Sequence, residues 1–306
     1  MLKEIKLIIT FIYMVFQYIY AAIDSINSYI LLNETYLHYG KKREKKIKIF
    51  SNLNDKSKKN IYMFSGGFSV RYEISTRKIV SDFIKLGINK EYNIIVFEIL
   101  DHSSLCIYDD VITCLRENIK DDIEELIFFG LSGGGVVASH IANGFKNYNY
   151  NIRIINYDST FDVVNNVKNF KNFYIYRIDV LMYFLVKYTY YNHYNYNEIK
   201  HLLVDEKYIN GVDQFVNIVK KVQNFDDEQL LFYSSFNFDQ KKGTKLITIN
   251  TKNDPIIFED ISLDYKKKNY NDNLIYRHIQ KDTYGHITDM VFSIDYMKHI
   301  LSALSD

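Results

Sequence analysis

The sequence predicts an α/β protein, with a mainly parallel sheet flanked by helices. Three observations predict it. From about residue 47, short apolar runs alternate with helix-competent segments, the pattern of strands crossing over through helices. One of those runs, Leu126 to Phe129, passes through a glycine cluster directly into a helical pattern at Val136 to His140. The alternation stops over about residues 160–240 and resumes at Lys245, as an insertion into a continuing sheet would make it do.

Taken in order, the chain begins with residues 7–23, LIITFIYMVFQYIYAAI, which carry no charged side chain. Their length is at the lower limit for a membrane-spanning helix, about 17 residues. Tyr20-Ala21-Ala22 is a poor signal-cleavage site, so the expectation is an N-terminal apolar anchor helix. A basic linker comes next, containing Lys41-Lys42-Arg43-Glu44-Lys45-Lys46. Residues 1–46 thus form an anchor and linker, and 47–306 the main domain. The position of the basic cluster favours a cytoplasmic side for that domain, and it could also touch anionic headgroups.

Ile47 to Phe50 and Ile61 to Phe64 read as strands, the second running into Ser65-Gly66-Gly67-Phe68. Glu73 to Leu86 is amphipathic and ends at Gly87, a suitable C-cap. Asn93 to Leu100 is a buried-type strand, and Ile107 to Lys120 a helix. After the glycine cluster and its helix, Ile152 to Tyr157 is a further strand. Residues of about 160–240 are mostly helical in pattern, and their apolar run Val180 to Val186 is too short to cross a bilayer. Lys245 to Asn250 and Leu274 to Ile279 are strands, and Thr288 to Leu304 the last helix.

Composition narrows the function. A formal net charge of +1 gives no electrostatic reason to expect nucleic acid as a partner. Cys106 and Cys114, eight residues apart on one expected helix, would lie roughly 12 Å apart along its axis, too far to bridge. Neither a metal-ligand cluster nor a dinucleotide fingerprint is present, so no cofactor and no metal is expected.

The chemistry centres on Gly130-Leu131-Ser132-Gly133-Gly134, which fills the pattern G-x-S-x-G between a strand and a helix. A serine at the tip of so sharp a turn takes a strained backbone, and glycines on its flanks remove the clashes. Only 12 of the 306 residues are glycine, and four of them (Gly130, Gly133, Gly134, Gly135) occupy this turn. A phosphate-binding loop would need a lysine and hydroxyl after the glycines, which are missing here. A serine nucleophile needs a base, and the base needs an orienting acid. Of eight histidines, His286 lies in a loop between the last strand and the last helix, where a base can be presented. His102 is a distant second; His140, His278 and His299 fall inside regular elements. Asp254 follows the strand Lys245 to Asn250, beside the only proline, Pro255; the rival acid is Asp158, after Ile152 to Tyr157. Gly133 would donate one backbone N–H to an oxyanion, and Gly67 or Phe68 a second.

On these motifs the chain resembles the α/β-hydrolase superfamily, over roughly residues 47–306. The residues that carry the resemblance are Gly66-Gly67, Gly130 to Gly134, Asp254-Pro255 and Gly285-His286. It implies an α/β-hydrolase fold with residues 160–240 as a helical cap inserted after the sixth strand. Ser65 stands where such proteins often have a histidine before the oxyanion glycines, and the loop at Asp101 and Ser103-Ser104 lacks their usual glycines. The expected activity is hydrolysis of carboxylic esters, lipid-like ones in view of the apolar N-terminus and cap, through an acyl-enzyme on Ser132. Acyl transfer, thioester or peptide cleavage, and a non-catalytic membrane-tethered binding role are the alternatives.

Overall fold

A computed structural model describes residues 32–64, 74–98, 105–159, 241–254, 274–284 and 295–306. All belong to one compact unit, made of Tyr20–Phe161 and Phe236–Asp306. The apolar run at 7–23, the cap at 160–240, Gly67, Phe68 and His286 lie outside the described residues. Among the described residues no helix is long and apolar enough to cross a membrane.

The eight strands among the described residues are β1 (Asn33–Tyr39), β2 (Lys45–Asn52), β3 (Lys59–Phe64), β4 (Asn93–Glu98), β5 (Glu125–Leu131), β6 (Asn151–Tyr157), β7 (Thr244–Asn253) and β8 (Leu274–Tyr284). They form one sheet in the order β1-β2-β4-β3-β5-β6-β7-β8. β1 and β2 pair antiparallel, β2 pairs antiparallel with β4, and all pairs from β4 onwards are parallel. The α-helices among the described residues are α1 (Ile74–Lys85), α2 (Leu105–Asn118), α3 (Gly134–Asn143) and α4 (Asp295–Ser305).

The central strands are apolar without interruption because both their faces are covered. In β5, Ile127, Phe129 and Leu131 join a core with Ile79, Val80 and Phe83 of α1 and Met297 and Ile300 of α4. Phe128, on the other face, packs its ring 5.7 Å from that of Phe145, just beyond α3. α1 is buried throughout Thr76 to Phe83, more completely than an amphipathic helix on a surface would be. Its charges are accordingly paired: Asp82 accepts from Lys78 Nζ at 2.6 Å and from the Tyr296 hydroxyl of α4 at 2.5 Å.

Residues 33–46 are more than a linker. Asn33 to Tyr36 are exposed edge-strand residues of β1, while Lys41 to Glu44 turn the hairpin and Lys45 and Lys46 begin β2. Lys46 Nζ lies 4.5 Å from the centroid of the Tyr36 ring, and Lys45 Nζ pairs with Asp110 of α2 at 3.0 Å.

The N-terminal edge of the parallel strands is held by polar ties. Asn93 Nδ2 donates to Asn60 Oδ1 at 2.8 Å across β3 and β4. Arg153 of β6 pairs with Glu125 of β5 at 2.9 Å and donates to the carbonyls of Ala303 and Leu304. Those carbonyls are in the last turn of α4, where a cation also meets the negative end of the helix dipole.

Candidate active site

The opposite, C-terminal edge has a different character. β5, β6, β7 and β8 are parallel neighbours, so the residues just past them emerge along one side of the sheet. Three non-glycine residues among those described have positive φ: Arg43 in the hairpin, Ser132 at 52° and Asp158 at 42°. The last two come directly after adjacent strands, β5 and β6. A left-handed backbone costs an L-residue roughly 1–2 kcal/mol, so the surrounding structure must impose it.

At Ser132 the means are visible. Its N–H donates to the Tyr157 carbonyl at 2.9 Å, which extends the β5–β6 ladder by one bond. The next residue, Gly133, is already helical at φ −55°, and the Gly135 N–H returns to the Ser132 carbonyl at 3.1 Å. Strand therefore becomes helix across a single left-handed residue. A Cβ on Gly130 would stand 2.2 Å from the Cα of Gly135, and one on Gly135 would stand 2.1 Å from Ser159 Oγ. The close approaches thus fall at Gly130 and Gly135, whereas the last glycine of the sequence pattern, Gly134, opens α3. Ser132 itself is partly exposed, and the first-turn N–H groups of α3 begin beside it. β3 ends at Phe64, which pairs with Gly130 beside the turn.

The two candidate acids have different surroundings. Asp254 directly follows β7; it is 8% exposed, and its N–H donates to the Thr251 carbonyl at 3.3 Å. Asp158 is fully buried. Its Oδ1 accepts the Thr251 N–H at 2.8 Å, and its Oδ2 meets Lys281 Nζ at 2.8 Å and Thr251 Oγ1 at 3.4 Å. Lys281, in β8, is buried as well, with its ammonium 3.8 Å from the centroid of the Tyr157 ring. Nothing in the sequence marks Lys281, because its partner is 123 residues away.

β8 continues to Tyr284, so His286 comes two residues after the strand. The histidines inside elements have local partners. His278 Nδ1 lies 2.8 Å from Thr248 Oγ1. The His140 ring, in α3, packs 5.3 Å from that of Tyr108, and burial holds its pKa below the usual histidine value, with Asp109 opposing.

No protein-family model matches the chain, and no curated protein matches it in sequence. Solved structures do match. An esterase of Pyrococcus furiosus superposes with a TM-score of 0.57 at 12% identity, covering 90% of each chain. A 2-hydroxy-6-oxo-6-phenylhexa-2,4-dienoate hydrolase from Rhodococcus sp. strain RHA1 gives 0.52 at 12% identity, over 90% of this chain and 99% of that one. A carboxylesterase from Nitrososphaera gargenis gives 0.51 at 14% identity, over 89% and 98%. Identities this low speak to architecture, and they agree with the strand order and with the glycine-hemmed serine between β5 and α3: the chain adopts the α/β-hydrolase fold.

Proposed function

We propose that the protein is a serine hydrolase of carboxylic esters. The observation that carries this reading is the left-handed Ser132, held between Gly130 and Gly135 at the start of α3. Such a conformation is costly, and a packing turn gains nothing from placing a hydroxyl there; a nucleophile does. In the proposed reaction His286 takes the Ser132 proton as Oγ attacks the ester carbonyl, and Asp254 orients the imidazole and stabilises its charged form. The Gly133 N–H, with that of Gly67 or Phe68, binds the oxyanion. His286 then protonates the departing alcohol, and water attacks the acyl-enzyme by the same route in reverse.

Asp254 is preferred to Asp158 as the acid because Asp158 already holds an ammonium and a backbone N–H. Lipid-like esters and attachment to a membrane are proposed on the apolar run at 7–23 and the apolar character of residues 180–186. Rates on esters of increasing acyl length test the first; retention of the full chain in the membrane pellet after alkaline carbonate extraction tests the second.

A fluorophosphonate probe should label the protein, and Ser132→Ala should abolish labelling and lower kcat by a factor on the order of 10⁶. Labelling that survives the substitution refutes the assignment. A wild-type protein with neither labelling nor turnover would instead be a binding module on a hydrolase scaffold.

A further inference from the structure

We infer that Asp158 and Lys281 form a positioning pair that sets the proposed acid and base; the inference rests on the roles proposed for Ser132, Asp254 and His286. Both side chains are 0% exposed, with 2.8 Å between Lys281 Nζ and Asp158 Oδ2. Removing two charges from water costs several kcal/mol per ion, and a well-packed apolar pair would often be as stable. Stability alone is therefore a weak reason for such a pair, and its location supplies a better one.

Asp158 comes just after β6, Lys281 is in β8, and the ion pair spans the strand between them at Thr251 of β7. Thr251 pairs with Lys281 in the β7–β8 ladder and donates its N–H to Asp158 Oδ1. The ladder shifts register at that point. Up to Thr251↔Lys281 the strands run in step, but the next pair is Asn253↔Tyr284, so β8 sets two residues against Lys252 alone. A bulge of this kind bends the strand and re-aims the residues beyond it. The residues that follow it in sequence are Asp254, three past Thr251 and directly after β7, and His286, five past Lys281 and two past the end of β8.

Three further contacts fix the pair itself. The Asp158 N–H donates to the Ile249 carbonyl at 2.7 Å, which pins its left-handed backbone to β7. The Tyr157 ring lies against the Lys281 ammonium. The Asp254 N–H returns to the Thr251 carbonyl, so a displacement of Thr251 is passed directly to Asp254. The pair thus clamps the ends of three adjacent strands just before two of them release the residues assigned to the proton relay. Asp158 acts through Thr251 and Lys281 rather than on substrate.

The test compares Lys281→Met, Asp158→Asn/Lys281→Met and Asp254→Asn, with kcat referred to sites titrated by a fluorophosphonate. Lys281→Met leaves a buried carboxylate without its cation, and kcat per titrated site should fall about 10²-fold, as for a misplacement of about 1 Å. The double variant keeps an acceptor for the Thr251 N–H and removes both charges. It should recover to within a few-fold of wild type, with the wild-type pH profile of kcat/KM. Asp254→Asn should lose about 10⁴. If the double variant loses as much as Asp254→Asn, Asp158 is the acid and the inference is overturned. If Lys281→Met lowers only the folded fraction and leaves kcat per site unchanged, the pair is merely structural. Amide exchange separates this from failure of the hydrolase reading, because it needs no turnover. Lys281→Met should speed exchange in peptides covering 250–256 and 282–288 while β5 stays protected, and unchanged exchange there overturns the inference even in a protein without activity.

Discussion

The contact between Gly130 and the first turn of α3 is one that a single added methyl group should break. In Gly130→Ala the new methyl carbon would meet Gly135 Cα at 2.2 Å, Gly134 O at 2.5 Å and Gly135 N at 2.5 Å. Two carbons in contact prefer roughly 3.5–4.0 Å, so the overlap exceeds an ångström. All three neighbours are backbone, and no rotamer change relieves them. α3 cannot simply retreat either, because Gly135 is pressed against Ser159 on its far side. Overpacking in a core costs typically about 1–3 kcal/mol, and a clash with backbone on a pinned helix belongs at or above the top of that range, ~3 kcal/mol. Gly243→Ala is the control: its φ of 89° carries left-handed strain, but nothing lies within 4 Å of the added carbon. Strain alone predicts about 1–2 kcal/mol there. Urea unfolding followed by circular dichroism at constant m reads both values. Should Gly130→Ala unfold within about 0.5 kcal/mol of wild type, the spread of an ordinary surface substitution, or cost no more than Gly243→Ala, the turn is not a glycine-enforced close approach.

Asp82→Ala should be among the most damaging substitutions in α1, at about 3–5 kcal/mol, because it removes the carboxylate that pairs with the buried Lys78 ammonium. Tyr296→Phe, which removes one hydrogen bond to the same carboxylate, should cost about 1.5–3 kcal/mol, and urea unfolding of the two variants checks the order. His140 has a folded-state pKa below its ordinary 6.5, so below that pH the unfolded chain takes up the proton first. Its contribution is therefore complete above about pH 6.5 and is lost as the pH falls, and His140→Gln should flatten the stability profile on the acid side. Cys114 is buried, and desolvation, with Glu117 and Asp110 adding to it, pushes its pKa up to about 12. Iodoacetamide at about pH 8 should leave Cys114 unmodified in the folded protein and alkylate it in urea, as peptide mass mapping would show.

The features legible in the sequence are those that depend on local pattern. The apolar runs of β3, β4 and β5 are unbroken because both faces are buried, and the turn at Ser132 is written in adjacent residues. β1 was not legible. Among the described residues its Asn-Glu-Thr-Tyr-Leu-His-Tyr pair on one side only, and all but Leu37 and Tyr39 are exposed. Such an edge strand has no apolar alternation to announce it. The end of β8 was missed for the opposite reason. Gln280, Lys281 and Asp282 look like a polar loop after Ile279, yet the strand continues to Tyr284. Lys281 is buried there because Asp158, far away in sequence, meets its charge. Local polarity misreads a segment whenever its compensation comes from another strand.

That compensation also explains how one sheet can hold opposite conditions at its two edges. The N-terminal edge is relaxed: Asn60 with Asn93, and Arg153 with Glu125 and the end of α4, satisfy polar groups in ordinary conformations. The C-terminal edge carries two left-handed residues, at roughly 1–2 kcal/mol each, within a domain whose total stability is typically about 5–15 kcal/mol. Strain of that size persists only where relaxing it would break something costlier. At Ser132 relaxation would separate α3 from β5 and β6, against which it is seated through Gly130 and Gly135. At Asp158 it would withdraw the carboxylate from Thr251 and from the buried Lys281 ammonium. The two strained residues are therefore secured by unlike means, packing at one and charge at the other. Substitutions at Gly130 and at Lys281 should accordingly add independently in stability, while any loss of turnover they share would arise at the sheet edge where the proposed relay is assembled.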